Sequence, residues 1–170
     1  MARLRGAPQG YVRRPRFPQC HLRGSWALLI TYVDTSFLVS LYLEDVHSQT
    51  ADQLLSSLTD CFLTPLHRAE WSHAIAQHAF RGAITEIKSK ELHSLFEQDI
   101  KIAPWREVIL PDHAFELCAD LARRYGSKLG VRTLDSLHVA CALELKAERF
   151  WTFDERQAKL AKANGMKTFS

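Results

Sequence analysis

Four acidic residues stand where they could bind metal ions together: Asp34, Glu70, Asp135 and Asp154. Asp34 directly follows the apolar run WALLITYV, and Asp154 follows the short apolar run RFWTF. Carboxylate oxygens are hard ligands, which Mg²⁺ and Mn²⁺ prefer, and these ions are commonly held by carboxylates together with water and substrate phosphates. The four acids therefore predict a divalent-cation site, provided that the fold brings them to one place.

Each of the four acids also has a purely structural explanation, which is the start of a helix. Asp34 and Asp154 could cap a helix with their side chains, while Glu70 and Asp135 could be first-turn acids favoured by the helix dipole. Capping alone gives four acids no reason to lie together, and without cations their mutual repulsion would destabilise the fold. As a group they favour the metal site.

Two further groups of residues qualify this interpretation. His138 lies on the apolar stripe of TLDSLHVACALELKA with Leu134, Leu137 and Cys141, which predicts a core histidine, although one helical turn from Asp135 it could also share a metal. Thr133 could steady the helix that carries Asp135. Thr152, two residues before Asp154, could orient a water molecule or a carboxylate by hydrogen bonding.

The distribution of charge argues against a generally basic nucleic-acid-binding domain. Of the 22 Lys and Arg residues, six are arginines that precede residue 31, and the segment before residue 31 contains no acid. The remainder of the 170-residue chain is therefore net negative. A polyanionic substrate would then require local basic groups or bound cations. The four cysteines are widely separated and the histidines form no zinc-binding motif, which predicts free thiols in the reducing cytoplasm.

The elements that must position the acids can be inferred from the hydrophobic pattern. Residues 1–25 hold three prolines, three glycines and no periodic apolar pattern, which predicts a disordered tail or a start codon assigned too far upstream. Residues 26–170 form one predicted domain. The segment 25–43 is long enough to span a membrane, but Asp34 near its centre would cost about 3 kcal/mol, so we expect no membrane span.

Strands and helices alternate along the predicted domain. The predicted strands are WALLITYV, CFLTPL, REVILP, RFWTFD and, at an edge, MKTF, and longer segments of helical period separate the first four; one of these helices is predicted to begin at Asp112 as its cap. This alternation predicts an α/β fold, a three-layer α/β/α sandwich with a central, mostly parallel sheet of four to five strands. Ligands bind such sheets at the carboxyl ends of the strands, where Asp34 and Asp154 lie.

Four motifs together resemble the acidic motifs of the PIN-domain family, in order and at similar intervals: YVDTSFLVSLY, HRAEWSHAI, RTLDSLHVACAL and FWTFDERQAKLAKANGMK. The resemblance covers Thr31 to about Phe169 and is greatest to the toxin subunit of VapBC-type toxin–antitoxin modules. It implies a Mg²⁺- or Mn²⁺-dependent endoribonuclease in which Asp34 and Asp135 are the main metal ligands and Glu70 and Asp154 complete the cluster.

The resemblance also implies partners. These would be an RNA substrate and a small antitoxin that covers the site, in a homodimer or a toxin–antitoxin hetero-oligomer. Two other functions remain open: a non-catalytic PIN-fold module that binds RNA or protein, and an aspartate-based phosphatase or receiver-type protein. A phosphatase of the haloacid-dehalogenase type would need a second aspartate where this chain has Ser36.

Overall fold

A computed structural model describes residues 13–17, 29–102 and 104–169. The domain within these residues is built from parallel strands that alternate with helices: β1 (Ile30–Val33), α1 (Thr35–Tyr42), α2 (Ser48–Leu55), β2 (Asp60–Leu63), α3 (Pro65–Phe80), α4 (Glu86–Asp99), β3 (Trp105–Glu107), α5 (His113–Leu129), α6 (Thr133–Glu144), β4 (Arg149–Trp151) and α7 (Glu155–Ala163).

The four strands form one parallel sheet in the order β3-β2-β1-β4. From β1 the chain moves outward through β2 to β3 and then returns to place β4 on the other side of β1. The strand order therefore reverses between β1 and β4, and such a switch point leaves a crevice at the carboxyl ends of the two strands. The predicted α/β fold with a parallel sheet is confirmed.

Helices cover both faces of the sheet. Successive strand residues point to opposite faces, so a strand of apolar residues must be covered on each side. Val33 and Trp151 belong to a core that packs beneath α1 to α4, whereas their neighbours Tyr32 and Phe150 belong to a second core beneath α5 to α7. All four of these strand residues are buried. Continuous apolar runs such as those of β1 and β4 are typical of strands that are covered on both faces, and the predicted three-layer sandwich follows.

The strands are shorter than the apolar runs that predicted them. The third strand ends at Glu107 instead of continuing to residue 111, because its partner β2 stops at Leu63, two residues before α3 begins. MKTF forms only an isolated bridge between Lys167 and Arg149. Asp112 precedes α5 as predicted, but its backbone is helical and its side chain makes no capping hydrogen bond, so the predicted cap is wrong.

Part of the predicted tail 1–25 packs against the domain. The backbone N–H of Arg13 donates to the carbonyl of Tyr42 at 2.9 Å. Phe17 lies edge-on to Trp105, with 6.1 Å between the ring centroids. Residues 13–17 are thus held by contacts, which differs from the expectation of disorder for this stretch, and the remainder of the tail lies outside the described residues.

The cysteines and the candidate membrane segment can also be located among the described residues. Cys61, Cys118 and Cys141 are buried free thiols, whereas Cys20 lies outside the described residues. No helix in the described parts of the chain combines the length and apolar composition needed to cross a bilayer. The segment considered above as a possible span folds in part as β1 followed by the short helix α1.

Candidate functional site

The four acids selected from the sequence line one open cavity of about 460 Å³. Asp34 directly follows β1, and Asp154 comes three residues after the end of β4. Glu70 lies in the second turn of α3 and Asp135 in the first turn of α6. The cavity, which we call the acid cavity, therefore opens at the switch point of the sheet, between elements that are far apart in the sequence.

Asp34 is the most buried acid among the described residues, with only 3% of its surface exposed. Its Oδ1 accepts hydrogen bonds from the Ser36 hydroxyl at 2.6 Å and from the backbone N–H of Phe37 at 3.1 Å, and the second bond caps α1. Burial raises the pKa of Asp34, although these hydrogen bonds and the nearby His138 act in the opposite direction. A cation nearby would favour the charged form of this carboxylate.

Asp154 and Asp135 are held in a similar way at the starts of two other helices. Oδ1 of Asp154 accepts from the backbone N–H groups of Arg156 at 2.7 Å and Gln157 at 2.9 Å. Oδ2 of Asp135 accepts from the backbone N–H of Arg132 at 2.9 Å, and its Oδ1 accepts from the side-chain amide of Gln157 at 3.3 Å. Gln157 therefore connects α7 to α6 within the cavity.

Capping and chemistry are not alternatives at these positions. The capping hydrogen bonds of Asp34 and Asp154 end on Oδ1 in each case, so the second carboxylate oxygen is not used by the helix. A helix cap fixes a carboxylate at a helix start, and a helix that starts at the carboxyl end of a strand places it at the sheet crevice. The same bonds that stabilise the helices thus orient the acids.

Glu70 is positioned by a chain of polar side chains that reaches the buried core. Its Oε2 accepts from the Thr35 hydroxyl at 2.6 Å and also contacts Nε2 of His138, whose Nδ1 lies 2.9 Å from the Tyr32 hydroxyl. Burial raises the pKa of Tyr32, so its hydroxyl keeps its proton and can donate to Nδ1. Nε2 of His138 then carries the proton that is donated to Glu70.

The electrostatics of Glu70 follow from this chain. Burial alone would raise the pKa of Glu70, but its hydrogen bonds with His138 and with the Thr35 hydroxyl outweigh this effect, and the pKa lies below its ordinary value. Glu70 is therefore ionised at neutral pH. His138 is only 1% exposed, as expected of a core histidine, yet its polar atoms face Glu70, and it does not bond to Asp135 in the described contacts.

The two predicted supporting threonines behave differently. The Thr152 hydroxyl accepts from the backbone N–H of Asp154 at 2.9 Å and, as a hydrogen-bonding neighbour, lowers the pKa of Asp34. It therefore stands between two of the acids. Thr133 begins α6, and among the described contacts only its carbonyl is engaged, by the thiol of Cys118 at 3.5 Å.

Several residues of the site were not found by sequence reasoning. Thr35 and Ser36 follow Asp34 directly and bond to Glu70 and Asp34, a role for which two hydroxyls at a helix start were the available signal. Leu134, predicted in the core, is 46% exposed and lines the acid cavity. It lies one residue before Asp135, at the helix start, where the apolar stripe has not yet reached the protein interior.

The acids do not form a finished coordination sphere by themselves. Within the described residues, no three His, Cys, Asp or Glu side chains are close enough to hold one ion together. The carboxylate oxygens of the four acids thus line the wall of the cavity and are separated by open space.

The sequence and the fold were compared with those of known proteins. A sequence model of the PIN domain matches residues 31–163, whereas no curated protein matches the chain significantly. FitAcB from Neisseria gonorrhoeae is 19% identical, with a TM-score of 0.62 over 82% of this chain and 96% of that chain. VapBC2 from Rickettsia felis bound to a promoter DNA fragment is 13% identical, with a TM-score of 0.60 over 83% and 99%.

A third solved structure is similar to the same extent. VapC20 from Mycobacterium tuberculosis, described as a toxin that cleaves the sarcin–ricin loop, is 16% identical, with a TM-score of 0.59 over 81% of this chain and 96% of that chain. At these identities the similarity establishes a common fold, which extends over nearly the full length of each of the three proteins.

Proposed function

Because the chain belongs to the PIN domain family, we propose that it is a Mg²⁺- or Mn²⁺-dependent endoribonuclease and the toxin of a type II toxin–antitoxin module. The observation that carries this proposal is the acid cavity. Asp34, Glu70, Asp135 and Asp154 come from four separate parts of the chain and line one opening at the switch point of the sheet. Four acids that served only as caps would have no reason to meet there.

The donor chemistry of the cavity suits a hard divalent cation. The four acids offer oxygen donors, and Mg²⁺ usually keeps several waters and takes only one or two carboxylates from the protein. The space between the acids, with no preformed set of three ligands in the described residues, fits an ion that binds partly through water and substrate phosphate. When bound, such ions would offset the charge of the phosphodiester and lower the pKa of a water molecule.

The residues of this chain have distinct proposed roles. Asp34 and Asp135 are the main ligands, each fixed by backbone N–H groups at a helix start. Glu70 and Asp154 complete the cluster and position the water that attacks the phosphodiester. Thr152 supports the orientation of Asp34 and Asp154.

Thr35 and His138 are positioning residues for Glu70, because both hydrogen-bond to its Oε2. With that oxygen occupied, Oε1 remains for the water or the cation. Thr133, the first residue of α6, supports the helix that carries Asp135.

The proposed partners follow from the family and from the similar structures. A toxin with this fold would act in the cytoplasm on RNA and would be inhibited by a small antitoxin protein that covers the acid cavity, as a homodimer or within a hetero-oligomer. Solved structures of similar fold include VapBC2 bound to a promoter DNA fragment and FitAB bound to a DNA fragment. On the basis of these similarities, we propose that the partner is encoded in the neighbouring reading frame.

Cleavage of RNA by the purified protein tests the enzymatic proposal. We expect cleavage of single-stranded RNA with Mg²⁺ or Mn²⁺, none with excess EDTA, and recovery when the metal is restored. Asp135→Asn should abolish cleavage, because asparagine can still accept the bond from the Arg132 N–H but no longer carries charge. Asp112→Asn is the matched control, since Asp112 precedes a helix but is exposed and makes no capping bond.

The outcomes separate the remaining functions. RNA binding without cleavage under any metal would indicate a non-catalytic module. Equal activity of Asp135→Asn and Asp112→Asn would show that the acid cavity is not the nuclease site.

A further inference from the structure

A second cavity, of about 390 Å³, shares Asp154 with the acid cavity, and we propose that it binds the base of one unpaired RNA nucleotide by stacking. We call it the aromatic cavity. It is lined by the start of α2, the loop after β4, α7 and the end of the described chain, with His47, Phe153 and Phe169 as its ring-bearing side chains. This inference rests on the proposed nuclease function, since it names how that site holds its substrate.

The rings of this cavity form an anchored stack. The imidazole of His47 lies on the ring of Phe153, with centroids 4.3 Å apart and planes inclined by 10°. Phe153 in turn stacks with the fully buried Phe37 at 5.9 Å and 17°, and Phe169 meets it edge-on at 5.2 Å. Because one end of the stack belongs to the core, the rings at the cavity are held in place before a ligand arrives.

Stacked rings at an opening are suited to a nucleobase. Proteins that bind single strands place successive bases on aromatic side chains, and the interaction tolerates every base because each has a π-face. Bases in a duplex are already stacked on their neighbours, and RNA recognition therefore favours unpaired nucleotides that can be splayed out. The aromatic cavity thus fits a single-stranded region of RNA.

The two cavities are linked in a way that suits neighbouring parts of one substrate. Asp154 lines both of them. The Ser36 hydroxyl donates to Oδ1 of Asp34 at 2.6 Å and accepts from the backbone N–H of Phe153 at 3.0 Å. One side chain therefore sets the aromatic stack relative to the deepest acid, and a strand whose phosphodiester lies at the acids can place an adjacent base on the stack.

The charged groups at the aromatic cavity are compatible with an RNA backbone. Lys159 and Lys162 of α7 line it, together with Glu155 and Asp154. Lys159 pairs with Glu155 at 3.7 Å, and both side chains are largely exposed. Such exposed pairs contribute little, so a phosphate can replace Glu155 as the partner of Lys159 at small cost.

Binding of short RNA in excess EDTA tests the subsite without requiring cleavage. The probe is a single-stranded oligonucleotide with one 2-aminopurine, whose fluorescence falls when the base stacks, compared with the same strand carrying an abasic nucleotide at that position. We expect wild-type protein to quench the probe and to bind the abasic strand less tightly. His47→Ala should weaken binding of the 2-aminopurine strand by roughly 5- to 160-fold, the usual effect of losing one base–aromatic contact.

Two variants control for folding and for general charge. His47→Tyr keeps a ring at the position and should retain most of the affinity. His113→Ala removes an exposed histidine that lines neither cavity and should bind as the wild type does. Equal affinity of wild-type protein for the 2-aminopurine and abasic strands, or of His47→Ala and wild type for the probe, would overturn the subsite.

The outcome also separates this proposal from the nuclease proposal. Quenching by a protein that never cleaves RNA with any metal would support the aromatic subsite and contradict the nuclease. Metal-dependent cleavage by a protein that does not distinguish the two strands would support the nuclease and contradict the subsite.

Discussion

The acid cavity and the aromatic cavity share Asp154 but are built on different principles. Three of the four acidic side chains enter the acid cavity from helix starts, where backbone N–H groups fix Asp34, Asp135 and Asp154. The rings of the aromatic cavity are presented by the residue before α2, by the loop after β4 and by the chain beyond α7. Groups placed on regular elements are held more precisely than groups on loops.

The difference suggests a division of labour between the two cavities. Chemistry at a phosphodiester depends on the position of a few atoms and is sensitive to small displacements. Stacking of a base on a ring tolerates sliding and accepts any base. Changes in the acid cavity should therefore remove cleavage and spare binding, whereas changes in the aromatic cavity should weaken binding.

The largest effect is expected for Asp34→Asn. Asparagine caps a helix about as well as aspartate, and it removes a buried charge that lies among other acids, so the melting temperature in EDTA should hold or rise. Cleavage should fall by more than the 10- to 100-fold typical of an outer-shell partner of a metal, while binding of single-stranded RNA in EDTA should remain. Melting curves and cleavage rates measure both effects.

The metal response of the same variant provides the control. Added Mg²⁺ or Mn²⁺ should raise the melting temperature of Asp34→Asn less than that of the wild type, because stabilisation follows ligand affinity. An Asp34→Asn protein with wild-type cleavage and an undiminished metal-induced shift would contradict the assignment of Asp34 to the site and would remove the distinction between the two cavities.

A smaller effect is expected for Thr35→Val. The substitution keeps the shape of the side chain but removes the hydroxyl that donates to Oε2 of Glu70. We expect kcat/KM to fall by roughly 10- to 100-fold, as for outer-shell partners of metal ligands, with kcat rather than RNA affinity affected. Unfolding by urea should show a loss of about 1.5–3 kcal/mol, the net contribution of one hydrogen bond to a charged group.

Thr31→Val is the matched control for this prediction. Thr31 is also a buried threonine near the site, but its hydroxyl has no hydrogen-bond partner in the described structure. Its removal should leave kcat unchanged and should not destabilise the protein. A similar loss of kcat in both variants would indicate a general disturbance of β1 and α1 instead of a role for Thr35 in holding Glu70.

The sequence predicted the acid cavity better than the aromatic cavity, for a physical reason. Acids that follow apolar strands must lie at the carboxyl edge of a parallel sheet, so Asp34 and Asp154 could be placed together without coordinates. No comparable rule brings His47, Phe153 and Phe169 together, because loop geometry decides where such rings lie. Apolar rings in the sequence indicate a core, and only the packing shows which of them remain accessible.

The same limit explains the errors at the ends of elements. Apolar runs identified β1, β2, β3 and β4, but each strand ends where its neighbour ends, which depends on pairing across the sheet. Arg13 and Phe17 contact residues far away in the sequence, and nothing local in their composition predicts those contacts. The His138 contact with Glu70 likewise joins α6 to α3, so helical periodicity alone could identify only a buried histidine.

The smallest effect concerns His67, a buried histidine that does not line the acid cavity but joins α3 to the end of β1. Its Nδ1 accepts from the backbone N–H of Thr64 at 2.9 Å, and its Nε2–H donates to the carbonyl of Val33 at 2.7 Å. Burial, together with the neighbouring His138, lowers the pKa of His67 to about 3. An unfolded histidine takes up a proton near pH 6.5, so protonation of the unfolded state destabilises the protein as the pH falls from about 6.5 towards 3.

His67→Gln tests this contribution to stability. The stability that His67 lends is fully present above pH 6.5, and one proton can account for a slope of at most about 1.4 kcal/mol per pH unit below it. The free energy of unfolding, measured in urea between pH 7 and pH 5, should therefore fall less steeply in His67→Gln than in the wild type, although the variant is less stable at pH 7. His113→Gln, at an exposed histidine, should keep the wild-type slope. Binding of the 2-aminopurine strand should be unchanged in both variants, because neither residue lines the aromatic cavity. Parallel slopes for His67→Gln and the wild type would show that His67 is not a neutral histidine that joins α3 to β1.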